Sequence, residues 1–184
     1  MSLEQVDMVH KAVFLDRDGV LNRSIVKNGR PYPPPSVAKL ELFETSILAC
    51  NQLVEAGYLL IGVTNQPDIA RGKTGKDVID QINAAVKDAM GLHDMRVCPH
   101  DDEDACSCRK PKPGMLLDAA RSFDIDLSSS IMVGDRRKDV EAGRAAGCRT
   151  VFIDYGYDEA GPAHVGHVCA SLLDAVPWIT GVSQ

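Results

Sequence analysis

Lys11-Ala-Val-Phe-Leu-Asp-Arg-Asp-Gly-Val-Leu-Asn22 is the stretch whose reading decides the fold. Ala12-Val-Phe-Leu15 is short, apolar and rich in strand formers, as a buried central strand requires. It stops on two carboxylates one residue apart, Asp16 and Asp18, followed by Gly19. Residues two apart on an extended chain point to the same side, so like charges meet at the mouth of a buried strand. A hard divalent cation with oxygen ligands, usually Mg²⁺, relieves that repulsion. One carboxylate beside such a cation can attack phosphorus while its neighbour passes the proton. Asp-x-Asp-Gly is equally a common turn. An EF-hand is excluded, since Gly19 falls at the fourth position of such a loop and Lys27 at the twelfth.

Working outward, a second apolar run, Tyr58–Val63, ends on Thr64-Asn65-Gln66, and a third, Ile131–Gly134, ends on Asp135. Thr150–Ile153 is a further strand, with shorter ones near Met95–Val97 and Val168. Helices are predicted over Glu44–Ala56, over Asp77–Met90, from Pro113 through Phe123, over Lys138–Ala146, and as a short segment before Pro177. The interval from Arg23 to about Leu42 reads as irregular, because Pro31, Pro33, Pro34 and Pro35 forbid a continuous helix. Strands alternating with helices predict an α/β fold, a Rossmann-like parallel sheet with helices on both faces. Ligands of such sheets sit at the carboxyl ends of the strands. Three strands ending on Asp16/Asp18, Thr64 and Asp135 therefore favour a catalytic site over a turn.

At 184 residues, 45% hydrophobic and 25% charged, the chain reads as one domain over 1–184. A net charge of −6 offers no global attraction to nucleic acid or to an anionic membrane. No apolar run reaches membrane-span length and no signal-peptide pattern opens the chain, so a cytoplasmic protein is expected. Cys50, Cys148 and Cys169 are scattered, a poor disulfide framework. Cys98-Pro-His100, then five residues, then Cys106-Ser-Cys108 supplies three thiolates and an imidazole, the set a structural tetrahedral Zn²⁺ uses. Four protein ligands leave no open position, so such a zinc pins a loop. The alternative is an acidic loop carrying free cysteines.

Asp16-x-Asp18-Gly-Val, the strand ending in Thr64, a lysine and Gly134-Asp135-x-x-x-Asp139 resemble, in order, the four motifs of the haloacid dehalogenase superfamily. Thr64-Asn-Gln, Ile69-Ala-Arg-Gly72 and Cys108-Arg-Lys-Pro-Lys-Pro-Gly-Met115 are similar to its heptose bisphosphate phosphatases, and histidinol-phosphate phosphatases share part of the pattern. The resemblance implies Asp16 as nucleophile, forming an aspartyl-phosphate, and Asp18 as proton shuttle. It implies Mg²⁺ between Asp16, the backbone carbonyl of Asp18 and Asp135. Thr64 and Lys110 would hold the phosphoryl group, with Asn65, Gln66, Arg109 and Arg136 contacting substrate. Lys112 and Arg136 are weaker candidates for a second phosphate, since arginine suits bidentate anion binding. Asp139 would orient the metal shell or a lysine, or simply favour a helix N-terminus.

The implied activity is removal of the 7-phosphate of D-glycero-D-manno-heptose 1,7-bisphosphate by a monomer, with histidinol phosphate the alternative substrate. The five-residue spacer before Cys106 is closer to the histidinol-phosphate group, and Pro67-Asp68 replaces the usual Ser-Gly. A receiver-like signalling domain also combines Asp, Thr and Lys. Asp18 argues against it, because an acid/base beside a phosphoaspartate hastens its hydrolysis. A zinc-stabilised binding module without catalysis is disfavoured because every core motif is present. Neither interval between motifs has room for a large cap domain.

Overall fold

A computed structural model describes residues 9–182; the two ends of the expected domain, 1–8 and 183–184, lie outside the described residues. The central strand, β1, is Lys11–Leu15. The other strands are β2 Ile25–Lys27, β3 Arg30–Tyr32, β4 Tyr58–Asn65, β5 Asp94–Cys98, β6 Ile131–Gly134, β7 Arg149–Ile153 and β8 His167–Cys169. The helices are α1 Glu44–Glu55, α2 Lys76–Met90, α3 Gly114–Phe123, α4 Arg137–Ala146 and α5 Leu172–Thr180.

Six strands form one sheet in the order β5-β4-β1-β6-β7-β8, and every pairing is parallel. Alternation along β1 sends Val13 and Leu15 into one core and Ala12 and Phe14 into the other. The first core is closed by Leu53 of α1, Ile82 and Val86 of α2, and Leu172 and Ala175 of α5. The second is closed by Leu116 and Ala119 of α3 and Ala142 of α4. Burial on both faces explains why β1 and β4 read as continuous apolar runs rather than alternating ones.

The chain leaves β1 toward β4 on one side and returns to β6 on the other, so strand order reverses at β1. That is the crevice where parallel α/β sheets bind ligands. The two acidic residues that follow β1 therefore stand at the topological switch point.

Two elements differ from expectation. The proline-rich interval contains a two-stranded hairpin, pairing Ile25 with Tyr32, Val26 with Pro31 and Lys27 with Arg30. Its turn is Asn28-Gly29, both at positive φ (50° and 71°), the conformation that two-residue hairpins prefer. Pro31 is tolerated because an isolated ribbon leaves edge positions where no donor is needed. The last helix does not stop before Pro177 but runs through it to Thr180. Burial of Val176 and Ile179 against the first core outweighs the one lost backbone bond.

Candidate active site

The carboxyl ends of β1, β4 and β6 bring together Asp16, Asp18, Thr64 and Asp135, and the loop before α3 delivers Lys110. The Lys110 ammonium is buried and spends all three donors, on Asp16 Oδ1 (2.7 Å), the Val63 carbonyl (2.9 Å) and Asp139 Oδ1 (2.6 Å). Asp139 Oδ2 accepts from the Arg136 backbone N–H (3.0 Å) at the start of α4. Both sequence readings of Asp139 thus hold together: it orients the lysine and caps the helix.

Two glycines make this crowding possible. A Cβ on Gly19, at φ +94°, would lie 1.9 Å from Asp135 Oδ2, and one on Gly134 would lie 2.1 Å from the Asp139 Cβ. Only the bare backbone at both positions lets the carboxylates converge.

Asp16, Asp135 and Asp139 offer carboxylate oxygens within 4.8 Å of one another, all buried, with the Lys110 ammonium paired to Asp16 and Asp139 and the Arg136 guanidinium near Asp135 and Asp139. Burial, then the Asp139 charge, push the Asp16 carboxyl up to about 7, although Lys110 opposes the shift. Asp135 is held well above the usual carboxylate range by burial and by Asp16 and Asp139. Burial alone would lower the Lys110 pKa, but Asp139 and Asp16 outweigh it and raise it. Neither Asp135 oxygen has a hydrogen-bond partner among the described residues, although the Tyr157 phenol lies close by. Excess buried negative charge and two unpartnered carboxylate oxygens suit a hard divalent cation.

Asp18 sits in a cradle of donors. Arg17 Nη2 reaches its Oδ2 at 2.9 Å and Arg17 Nε its Oδ1 at 3.2 Å, while Asn22 Nδ2 donates to Oδ1 at 3.0 Å. Gln66 Nε2 donates both to Asp18 Oδ2 and to Thr64 Oγ1, each at 2.9 Å. Gln66, expected against substrate, lines the cavity and joins Thr64 to Asp18. Asn65 has a similar supporting position. Its amide clamps the Lys110 peptide, donating to the carbonyl (3.0 Å) and accepting from the N–H (3.1 Å).

Asp16, Asp18, Thr64, Asn65, Gln66, Lys110 and Asp139 floor an open cavity of about 510 Å³, within the range of small-molecule sites. Its walls carry Arg30, Arg71, Lys73, Arg109, Arg136 and Lys138. Arg109 donates to Asp102 (2.7 Å) and to the His100 carbonyl (3.3 Å). Arg136 pairs with Glu159 through Nε at 3.0 Å. Lys112 does not face the cavity. It donates to the Ala105 and Cys106 carbonyls (3.0 and 2.7 Å), which bracket the cysteine loop, so its candidacy for a second phosphate is withdrawn.

The Cys98, His100, Cys106 and Cys108 ligand atoms converge. The sulfurs lie 3.3–3.7 Å apart and His100 Nδ1 is 3.6 and 3.3 Å from Cys98 and Cys108 Sγ. A tetrahedron with Zn–S of about 2.3 Å and Zn–N of about 2.0 Å has edges of roughly 3.5–3.8 Å. The four residues fit that ion. Arg71 grips Asp101 with Nε (2.6 Å) and Nη2 (2.5 Å), fastening the segment after β4 to this loop.

Sequence reasoning missed Arg17, Asn22 and Asn83 around Asp18, and the tyrosines after β7. Arg17 between two strand-end aspartates was the available signal, since alternation turns it toward the interior. Tyr155 and Tyr157 carried none, because only the folded chain brings them to the first loop, where the Tyr155 hydroxyl donates to the Gly19 carbonyl (2.9 Å).

Comparison with known proteins agrees with this geometry. A Hydrolase_like family model, described as HAD-hydrolase-like, matches residues 107–175. A D-glycero-beta-D-manno-heptose-1,7-bisphosphate 7-phosphatase of Pasteurella multocida is 37% identical over 188 residues, covering 95% of this chain and 99% of its own. One from Vibrio cholerae is 38% identical over 193 residues, covering 96% and 100%. The crystal structure of D,D-heptose 1,7-bisphosphate phosphatase from B. bronchiseptica, complexed with magnesium and phosphate, aligns with a TM-score of 0.75. That alignment is 28% identical and covers 94% of this chain and 99% of the other. With the motifs on β1, β4 and β6 in place and relatives this similar along nearly their whole length, the chain belongs to the heptose-bisphosphate phosphatase family of haloacid dehalogenase-like hydrolases.

Proposed function

We propose that the protein is a magnesium-dependent phosphomonoesterase that removes the 7-phosphate of D-glycero-β-D-manno-heptose 1,7-bisphosphate. The observation that carries the reading is the buried Asp16–Lys110–Asp139 chain beside an unpartnered Asp135 at the switch point of the sheet. Mg²⁺ held by Asp16, Asp135 and the Asp18 carbonyl would offset the charge of phosphate and carboxylates. An Asp16 oxygen attacks phosphorus, the bond from phosphorus to the sugar oxygen breaks, and Asp18 gives its proton to that oxygen. Water then attacks the aspartyl-phosphate, Asp18 takes the water's proton, and the bond to Asp16 breaks, releasing inorganic phosphate. Thr64 and Lys110 would hold the equatorial oxygens, Lys110 by turning to the phosphoryl group one of the donors that the free site spends on Asp16, Val63 and Asp139.

The cavity wall sets six basic side chains against Asp68, Asp102 and Glu159, a balance that suits a substrate with a second anion, and the relatives' names supply the sugar. In this reading Asn65 and Gln66 support the site, while Arg109 and Arg136 meet the substrate once their acidic partners let go. A structural Zn²⁺ on Cys98, His100, Cys106 and Cys108 would hold the loop that leads into Arg109 and Lys110. We take the chain to act as a single domain and as a monomer. No helix among the described residues is long and apolar enough to cross a membrane. The test is kcat/KM with Mg²⁺ on the heptose bisphosphate, on histidinol phosphate and on p-nitrophenyl phosphate. Preference for histidinol phosphate overturns the substrate assignment, and absence of turnover on all three overturns the activity.

A further inference from the structure

Among the described residues Arg17 is the largest side chain with no exposure at all, and it is charged. A buried guanidinium is costly unless it is paired, and an apolar residue of similar size usually serves stability as well or better. Asp18 is the carboxylate it meets. The rigid guanidinium plane lays Nε and Nη2 along the Asp18 carboxylate, and this two-pronged contact fixes a plane as well as a charge. Nη1 turns the opposite way and donates to Asn83 Oδ1 at 2.7 Å. Asn83 lies in the middle of α2, is buried, and has an Nδ2 without a partner among the described residues. An asparagine in an otherwise apolar helix face, with half its amide unsatisfied, is an expense that the single contact to Arg17 must justify.

We infer that Arg17 and Asn83 are positioning residues that set the carboxylate plane of Asp18 for proton transfer; this rests on the acid/base role proposed above. Asn83 anchors the guanidinium to the rigid α2, the guanidinium aligns Asp18, and Asn22 and Gln66 complete the cradle. Neither positioning residue lines the substrate cavity, so their substitution acts through Asp18 rather than through binding.

The leaving group separates this role from a merely structural one. Expelling a sugar alkoxide needs the proton of Asp18, whereas p-nitrophenolate leaves without it. Hydrolysis of the aspartyl-phosphate needs Asp18 as base for every substrate. The experiment measures kcat/KM with Mg²⁺ on the heptose bisphosphate and on p-nitrophenyl phosphate, plus the pre-steady-state burst of p-nitrophenol. Asp18→Asn serves as the benchmark, expected to lose on the order of 10²–10⁴-fold on the sugar phosphate, much less on the aryl phosphate, and to show a burst. Arg17→Lys keeps the charge but loses the plane, and should reproduce that signature at roughly 10–100-fold. Asn83→Leu, which removes one hydrogen bond and leaves Arg17 in place, should reproduce it at roughly 5–10-fold.

Equal losses on both substrates, or no loss, in Asn83→Leu and Arg17→Lys overturn the inference while the role of Asp18 stands. Should Arg17→Lys fail to fold, Asn83→Leu decides alone. If Asp18→Asn itself lacks the signature, the acid/base reading falls and the inference falls with it.

Discussion

Replacing Lys110 by methionine, of similar length but uncharged, should damage stability and catalysis together, and the structure sets the size of the effect. The ammonium has almost no exposure and faces two carboxylates, Asp16 at 2.7 Å and Asp139 at 2.6 Å. Removing one partner of a buried ion pair leaves uncompensated charge, at a cost of about 3–5 kcal/mol. In a domain of this size each kcal/mol moves the melting temperature by about 2–4 °C, so a drop of roughly 6–20 °C is expected. That is a large share of the roughly 5–15 kcal/mol that holds a domain together.

Urea denaturation with and without Mg²⁺ measures the loss, and added Mg²⁺ should stabilise the variant more than the wild type by supplying the missing positive charge. Asp139→Asn is the partner substitution, since its amide oxygen still accepts from the Arg136 N–H. In the double-mutant cycle, Lys110→Met and Asp139→Asn should couple by about 1–3 kcal/mol. Turnover should fall for every substrate by on the order of 10²–10³-fold, because the contact proposed for Lys110 is to the transferring phosphoryl group. A Lys110→Met protein as stable as wild type, with no coupling to Asp139→Asn, would refute the buried-cation reasoning.

Asp16→Asn should abolish turnover while far-UV circular dichroism and melting stay native-like; substantial residual activity removes it as nucleophile. Zinc should purify with the protein at about one ion per chain, and Cys106→Ser should lose the metal, stability and activity together. Elemental analysis finding none in protein never exposed to chelator would sink the zinc site. The Asp16 carboxyl, raised by burial to about 7, lies above its unfolded value of about 3.9, so its contribution is complete below that value and is lost as pH rises through about 7. The extra stability given by Mg²⁺ should therefore grow between about pH 5 and pH 7.5, and a flat difference in urea midpoints counts against the coupling of Asp16 to metal. Arg109→Ala should cost the heptose bisphosphate on the order of 10–100-fold in kcat/KM but p-nitrophenyl phosphate only a few-fold. Equal losses would show that Arg109 does not read the remainder of the substrate.

Much of this was legible in the linear chain because it is local. Apolar runs buried on both faces identify β1, β4 and β6, and the residue that ends such a run necessarily sits at the carboxyl edge of a parallel sheet. Asp16, Asp18, Thr64 and Asp135 could be placed that way without coordinates. The cysteine loop was equally legible, since Cys98, His100, Cys106 and Cys108 span only eleven positions. The hairpin at Ile25–Tyr32 was obscured by prolines, although its Asn28-Gly29 turn was in plain view. Pro177 misled in the other direction, because the packing that carries α5 past it comes from residues distant in the chain.

What only the tertiary structure decided are the relations across long separations. Lys110 meets Asp16 across 94 positions, Arg17 meets Asn83 across 66, and Tyr155 meets Gly19 across 136. A sequence shows that a lysine or an asparagine exists but not which way it points. Lys112, two residues from Lys110, turns back into the cysteine loop instead of the cavity. Residue type and periodicity set the strands and their ends, because burial acts on neighbours in the chain. The partners of buried charge are set by where the sheet's crossovers return, and that is a property of the folded whole.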